Sequence, residues 1–220
     1  MHSQPFVNPR PQPTEAAGPI IVLGIGNVLW ADEGFGVRCV ELLQQRYAFA
    51  PHVQLVDGGT QGLYLISYVQ SAERLLILDA IDYGLAPGTL RIIEDEEVPK
   101  FLGAKKMSLH QTGFQEVLQL AELTGHYPQR VVLVGCQPEE LDDYGGSLRP
   151  AVKAALEPAI ERACEVLCEW GAEPVPRSGT LAPDEAVTTE HLAITRYEAE
   201  RPTEQDACRT GDARFFSHHG

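Results

Sequence analysis

The sequence of 220 residues predicts a three-layer α/β/α fold, with a twisted and mostly parallel sheet of about five strands. Continuous apolar runs, typical of strands buried on both faces, alternate along the chain with segments of helical periodicity. Hydrophobic residues make up 44% and charged residues 22%, the composition of an ordinary globular domain. The length is sufficient for one hydrophobic core.

The predicted strands are short apolar segments that end at polar or glycine residues. Three of them are continuous, as buried parallel strands require, and they are Ile20–Ile25, Leu75–Leu78 and Val131–Val134. Val53–Val56, which ends at Asp57-Gly58-Gly59, is a further predicted strand. Thr89–Glu94 alternates apolar and polar residues after a Pro87-Gly88 turn, which indicates an edge strand.

The predicted helices fall between these strands. Asp32 is expected to cap the first, whose apolar face carries Val40, Leu43 and Tyr47. A short helix is expected over Gly62–Tyr68. Ser108 and Gln111 form a capping box for a helix that runs to Thr124, with Gly125 after its end. The last helical region, Leu148–Trp170, should be broken near Pro158.

Domain organisation follows from composition. We expect a flexible N-terminal extension at 1–18, a body at 19–174 and an acidic, Pro-containing tail at 175–220. The tail is expected to be disordered or loosely docked, apart from a weak helix at Glu185–Tyr197. The N-terminal extension has no apolar region of the kind found in secretory signals.

Charge and cysteine content exclude several classes of function. A net charge of −14 argues against nucleic acid as a partner and is explained by solubility. No apolar stretch approaches the ~20 residues that span a bilayer, so no membrane partner is expected. Five cysteines without C-x-x-C spacing argue against a disulfide framework and favour a cytoplasmic protein. The absence of heptads gives no reason to expect more than a monomer.

The Gly24-Ile25-Gly26-Asn27 turn suggests a dinucleotide site, but the match is poor. The third small residue of that fingerprint is replaced by Leu29, and Asp57 lies farther along the chain than the usual ~20 residues. A turn that only serves the backbone is the better interpretation.

Three side chains are the candidate site residues: Glu33, Asp79 and His110. Glu33 lies in the first turn after a strand, where a role in offsetting the helix dipole is an equal alternative. Asp79 directly follows a buried strand and therefore needs a hydrogen bond, an ion pair or a metal. His110 lies in a first helical turn, where the dipole should lower its pKa and so suit a neutral metal ligand. Together they predict a metal site at the carboxyl edge of the sheet.

Several motifs, taken together and in order, resemble the [NiFe]-hydrogenase maturation endopeptidases over about residues 20–180. These motifs are Gly24-Ile25-Gly26-Asn27-Val28-Leu29, Asp32-Glu33-Gly34-Phe35-Gly36, Asp57-Gly58-Gly59-Thr60, Leu78-Asp79-Ala80 and Ser108-Leu109-His110-Gln111.

The resemblance implies a five-stranded sheet with one antiparallel strand, and an endopeptidase that removes the C-terminal extension of the hydrogenase large-subunit precursor after nickel insertion. It implies that Glu33, Asp79 and His110 contact the metal and that Asp57 is a further acidic site residue. Nickel would be carried by the precursor, the implied partner, rather than held permanently.

Two other functions stay open. The chain could be a non-catalytic nickel chaperone, or another scaffold that binds the precursor without cutting it. It could also be a metal-dependent hydrolase of free peptides, similar to an aminopeptidase. The usual serine elbow and H-E-x-x-H zinc motifs are absent from the sequence.

Overall fold

The computed structural model describes residues 18–99, 109–182 and 185–201, with the backbone alone for residues 109–112. Its strands are β1 (Ile20–Ile25), β2 (Tyr47–Ala48), β3 (Val53–Gly59), β4 (Arg74–Ala80), β5 (Leu90–Glu94), β6 (Arg130–Cys136) and β7 (Val175–Pro176). Within these residues, five strands form the main sheet in the order β3-β1-β4-β6-β5, and β2 pairs with β7.

The helices lie on both faces of this sheet. They are α1 (Phe35–Arg46), α2 (Ile66–Ser71), α3 (Leu109–Leu123), α4 (Pro150–Ala154), α5 (Leu156–Glu169) and α6 (Ile194–Glu200). Single 3-10 turns cover Ala31–Gly34, Gly62–Leu65 and Glu190–Leu192. None of the helices in the described part of the chain is long and apolar enough to cross a bilayer.

The topology confirms the predicted fold class. β1 pairs in parallel with β3 and β4, and β4 pairs in parallel with β6. β5 pairs with β6 in the antiparallel direction and forms the edge, as its alternating sequence predicts. The continuous apolar runs of β1 and β4 arise because both of their faces are covered by helices.

Strand alternation divides the core into two layers. Val22, Leu78 and Val134 point to the side covered by α1, α4 and α5. Leu23 and Ile77 point to the opposite side, where Phe114 of α3 and Val69 of α2 pack against them. The three-layer arrangement therefore places one buried layer on each side of the same strands.

Local differences from the predicted helices have physical reasons. The predicted helix at Gly62–Tyr68 is a 3-10 turn followed by α2. The break near Pro158 lies between α4 and α5, so that the proline falls in the first turn of α5, where its missing N–H costs no helical hydrogen bond. Gly125 ends α3 with φ +72°, as expected. Ser108 of the predicted capping box lies outside the described residues.

The predicted tail differs from what the described residues 175–182 and 185–201 show. β7 pairs with β2, and Ile194 of α6 is buried against the layer that contains α1. Lys153 of α4 donates hydrogen bonds of 2.6 and 2.8 Å to Glu198 of α6. Polar composition predicted disorder here, but these residues dock through backbone and charged contacts rather than through a large apolar face.

Candidate functional site

The site lies at the carboxyl edge of the parallel strands, where the chain leaves β1, β3 and β4. Gly24 of β1 is in register with Asp57 of β3 and with Leu78 of β4, so the following residues of each strand reach the same edge. Ligands of open α/β sheets bind at such an edge, in the crevice outside the strand ends.

Glycines fix the turn that connects β1 to α1. Gly26 has φ +128°, and a Cβ there would collide with the carbonyl oxygen of Glu33. A Cβ at Gly36 would collide with the carbonyl oxygens of Leu78 and Ile25. Helix α1 therefore begins in direct contact with the ends of β1 and β4, and this close approach holds Glu33 above the sheet edge.

Asp32 anchors this turn and does not cap α1. Its carboxylate is fully buried and accepts backbone N–H bonds from Glu139 and Glu140 at 2.8 and 2.9 Å, and from Arg149 at 2.7 Å. Neither the 3-10 turn nor α1 has a side-chain cap. The predicted role as a helix cap is wrong, because the carboxylate turns inward to the loop after β6.

Glu33 has a different environment from its neighbour. Its side chain is half-buried, and this burial, with a smaller contribution from the negative charge of Asp142, raises the pKa of Glu33 to about 7. A carboxyl group with such a pKa at an open edge can exchange its proton for a cation at neutral pH.

Asp79 emerges from β4 on the side of the sheet that faces α2 and α3. Leu76 and Leu78 point to the α1 layer, whereas Ile77 and Ile81 point to the other layer. Because side chains alternate along a strand, Asp79 points to the same layer as Ile77 and Ile81. It is 2% exposed, as expected for a carboxylate placed by a buried strand.

Tyr83 was not predicted and lies next to this carboxylate. Its phenol packs against Gly135, which is the register partner of Asp79 on β6, and a Cβ at Gly135 would collide with the ring. Burial, followed by the charge of Asp79, raises the pKa of Tyr83. The signal for this residue is a glycine near the end of an apolar strand, which marks close approach by another group.

The backbone of His110 lies in the first turn of α3, while its side chain is outside the described set. Helix α3 ends before β6 starts at the amino edge, so its first turn lies at the carboxyl edge. One turn after His110, a Cβ at Gly113 would lie 3.5 Å from the Cα of Gly62, in the connection that follows β3. The backbone thus brings His110 to the edge that carries Glu33 and Asp79.

Asp57 reaches the same edge on the other side of the sheet. Val56 belongs to the α2 and α3 layer, so Asp57 points towards α1 and accepts a 3.0 Å hydrogen bond from the backbone N–H of Gly59. Burial raises the pKa of Asp57, while this hydrogen bond and the charge of Arg38 act against the rise. The residue lines a cavity of about 300 Å³ that also includes Gly26.

The donor chemistry of this edge fits a metal only in part. Among the side chains that the structure describes, no three His, Cys, Asp or Glu residues are grouped so as to hold a metal ion. Glu33 and Asp79 offer oxygen donors, and the backbone position of His110 allows a nitrogen donor. These three residues would fill only part of the coordination shell of a metal ion, which leaves positions for donors from another molecule. The metal-binding roles of all three residues stay predictions.

An open parallel sheet with carboxylates at its carboxyl edge defines an α/β protein with a polar ligand site at the strand ends. Comparison with known proteins then gives its family. The family described as "Hydrogenase maturation protease" matches residues 37–166. The "Hydrogenase expression/formation protein HoxM" of Cupriavidus necator is 74% identical over 197 residues, which is 90% of this chain and 98% of that protein.

A match in Escherichia coli is found in both sequence and structure. The "Hydrogenase 2 maturation protease" is 45% identical over 159 residues, which is 72% of this chain and 96% of that protein. The solved structure of the hydrogenase maturating endopeptidase HybD has a TM-score of 0.69 and 44% identity, with 73% of this chain and 98% of that chain covered. The chain therefore belongs to the hydrogenase maturation protease family and is an endopeptidase.

Proposed function

We propose that this endopeptidase removes the C-terminal extension of the [NiFe]-hydrogenase large-subunit precursor after nickel has been inserted. Family membership supports the reaction class. The observation that carries the choice of substrate is the placement of Glu33, Asp79 and the backbone of His110 at one open edge of the sheet, where a metal borne by another protein can be reached.

Recognition of nickel follows from the hardness of these donors. Carboxylate and imidazole groups bind nickel more weakly than thiolates do, so they can contact an ion without removing it from the thiolates of a precursor. Glu33, with a pKa of about 7, loses its proton readily when a cation approaches. Contact with nickel would hold the precursor so that its scissile bond lies in the cleft, which lowers the entropic part of the barrier.

The two fully buried thiols, Cys39 and Cys136, do not support a cysteine nucleophile. Burial, followed by the charge of Cys136, raises the pKa of Cys39, and burial, followed by the charge of Asp32, raises the pKa of Cys136 to about 12. Both side chains are fully buried. Because the thiolate is the reactive form, these residues act as small apolar groups, and attack by water is the simpler route. Nickel held by the precursor would supply a Lewis acid beside that bond.

The same proposal includes the partner, the oligomeric state and the cellular location. The partner is the nickel-loaded precursor, the working unit is a monomer, and the reaction takes place in the cytoplasm. Nickel arrives with the precursor as part of the substrate.

Intact-mass measurement of the precursor tests this function. Purified protein is incubated with nickel-loaded and with nickel-free precursor, and loss of mass equal to the C-terminal extension is expected only for the loaded form. A His110→Ala variant should stay folded and leave the mass unchanged. The exposed Glu139→Gln variant serves as the matched control and should cut normally.

The other outcomes identify the other functions. Unchanged mass with stable binding would indicate a chaperone in place of a protease. Equal cutting of loaded and nickel-free precursor would contradict nickel recognition, and cleavage of short metal-free peptides would indicate a general peptidase.

A further inference from the structure

We propose that residues 185–201, here called the C-terminal strap, form one wall of the groove that receives the precursor's C-terminal extension and so select which extensions are accepted. This inference rests on the proposed function and assigns a role to a segment outside the family match at residues 37–166.

Two buried charged residues of α1 bind the strap through its backbone. Arg38 and Glu41 are 2% and 3% exposed and form an ion pair of 2.8 Å. Arg38 also donates a hydrogen bond to the carbonyl of Leu192, and Glu41 accepts one of 2.9 Å from the N–H of Ile194. Buried charges need several partners of this kind, so the strap is a specific part of their surroundings.

Further contacts hold the two ends of the strap. Gln44 of α1 donates to the carbonyl of Glu185 and accepts from the N–H of Val187, both within 2.8 Å. The Arg38 guanidinium lies 5.5 Å from the centre of the Tyr197 ring. The strap is therefore fixed along one side of α1, where its side chains can form part of a neighbouring cavity.

That cavity is the one that contains Asp57. Val187 and Leu192 of the strap form one side, and the other side includes Asp57, Gly26 and Asn27 from the strand ends. Gly26 lies directly beneath the carbonyl of Glu33, so the cavity adjoins the turn that carries the proposed metal contact. A peptide that extends from the edge of the sheet into this cavity would meet the strap.

The size and lining of the cavity indicate what it can hold. Its volume of about 300 Å³ is at the lower end of the range for ligand pockets, so only a short stretch of peptide fits. The strap side chains Val187 and Leu192 share the lining with the aliphatic Val28 and Val37 and with the carboxylate of Asp57. An extended peptide with small or aliphatic side chains matches this lining, whereas a large aromatic side chain would compete with Leu192 for the small volume.

The relatives differ in how much of this chain they match. The E. coli hydrogenase 2 protease is matched over 159 residues, which is 96% of its length, whereas the HoxM match extends over 197 residues. A segment outside the family match can change which extension is accepted without altering the site at the strand ends.

Widening the cavity tests the proposal. The full-length Val187→Ala/Leu192→Ala variant is compared with wild type and with Thr195→Ala, which changes an exposed strap residue that does not line this cavity. The substrates are nickel-loaded precursors, unaltered or with one extension residue at a time replaced by Trp. Release of the extension is followed by intact mass. For each protein, the rate of release from a Trp precursor is divided by the rate from the unaltered precursor. For at least one Trp precursor, this ratio should be about tenfold higher in the widened variant than in wild type.

The outcomes distinguish a failure of the strap proposal from a failure of the proposed function. Identical relative rates for wild type, Thr195→Ala and the widened variant would overturn the role of the strap, whereas a wild type that leaves every precursor intact would overturn the proposed function itself. Circular dichroism checks folding. If the widened variant is unfolded, Leu192→Phe is scored instead, and an unchanged KM for the unaltered precursor would then count against the strap.

Discussion

Asp32 and Glu33 are adjacent in the chain, yet their carboxylates have opposite surroundings. Asp32 is fully buried and accepts three backbone N–H bonds, while Glu33 is half-buried with a raised pKa of about 7. Three N–H donors compensate the burial of the first charge. Burial and the negative charge of Asp142 raise the pKa of the second, which favours its neutral form.

The Asp32→Asn variant should be strongly destabilised. An amide has one oxygen in place of two, and its NH2 group would face one or more of the backbone N–H groups of Glu139, Glu140 and Arg149. The expected loss in the free energy of unfolding is about 3 kcal/mol, measured by urea denaturation. Glu139→Gln, which changes an exposed carboxylate in the same loop, should leave the midpoint unchanged. Equal midpoints for both variants would contradict the anchoring role.

The Glu33→Gln and Asp79→Asn variants should fold but lose processing. Each substitution keeps the size of the side chain and removes a negative oxygen donor at the strand ends. The expected decrease in the rate of extension release is about a hundredfold or more, because transition-state contacts with charged groups contribute at least ~3 kcal/mol. Single-turnover assays with nickel-loaded precursor measure it. Normal rates in both variants would remove these residues from the site.

At the scale of elements, the close approach of α1 to the strand ends determines the site. Gly36 lies against the carbonyl oxygens of Leu78 and Ile25, so helix and strands touch without a side chain between them. The apolar runs of β1 and β4 predicted both strands, and the polar residues at their ends predicted Glu33 and Asp79. Tyr83 was missed because its position depends on Gly135, a register partner that becomes visible only when β4 and β6 are paired.

The Gly36→Ala variant should therefore lose both stability and activity. The added methyl group meets backbone atoms that cannot rotate away, so α1 must shift from the sheet and take Glu33 with it. Overpacking of this kind costs about 1–3 kcal/mol, and both thermal unfolding and extension release report it. Gly113→Ala is the matched control, since its Cβ would make an ordinary 3.5 Å contact and the change favours helix α3. A fully active Gly36→Ala protein would contradict this account.

At the scale of the whole molecule, the C-terminal strap is distant in sequence from α1 but packs against it. Its composition predicted disorder or loose docking with one weak helix, and the sequence did not show where it docks, because the partners Arg38 and Glu41 lie among the apolar positions of α1. An ion pair at i and i+3 is usually interpreted as a solvated helix face. Only the packed structure shows that this pair is buried and bound to the backbone at Leu192 and Ile194.

The Arg38→Met variant should release the strap. Loss of the cation leaves the buried Glu41 carboxylate without its ion-pair partner, which typically costs about 3–5 kcal/mol. Limited proteolysis should cut within residues 185–201 faster than in wild type. A Glu41→Gln/Arg38→Met double variant should recover part of the protection, because the uncompensated charge is gone. Unchanged proteolysis in the single variant would show that the pair does not hold the strap.

Acid should also loosen the strap through Glu198. Partial burial acts to raise the pKa of this residue, but hydrogen bonds from Lys153 and Ser147 outweigh it, and the pKa is lowered from 4.5. A lowered folded-state pKa stabilises the docked strap above the unfolded pKa, and this contribution is lost as pH falls through the folded value. The effect is about 0.5 kcal/mol for this partly exposed pair. The protection of the α6 amides against hydrogen exchange, corrected for the intrinsic exchange rate at each pH, should fall below about pH 4 in wild type and show less pH dependence in Glu198→Gln.

The opposite facing of Asp32 and Glu33 has an evolutionary consequence. Inserting one residue between Ile25 and Asp32 would bring Ala31 to the inward position and leave the loop N–H groups without their acceptor. Deleting one would turn Glu33 inward and leave Gly34, which has no carboxylate, at the sheet edge. Natural variants should therefore keep this stretch at constant length, and insertions should accumulate in other connections.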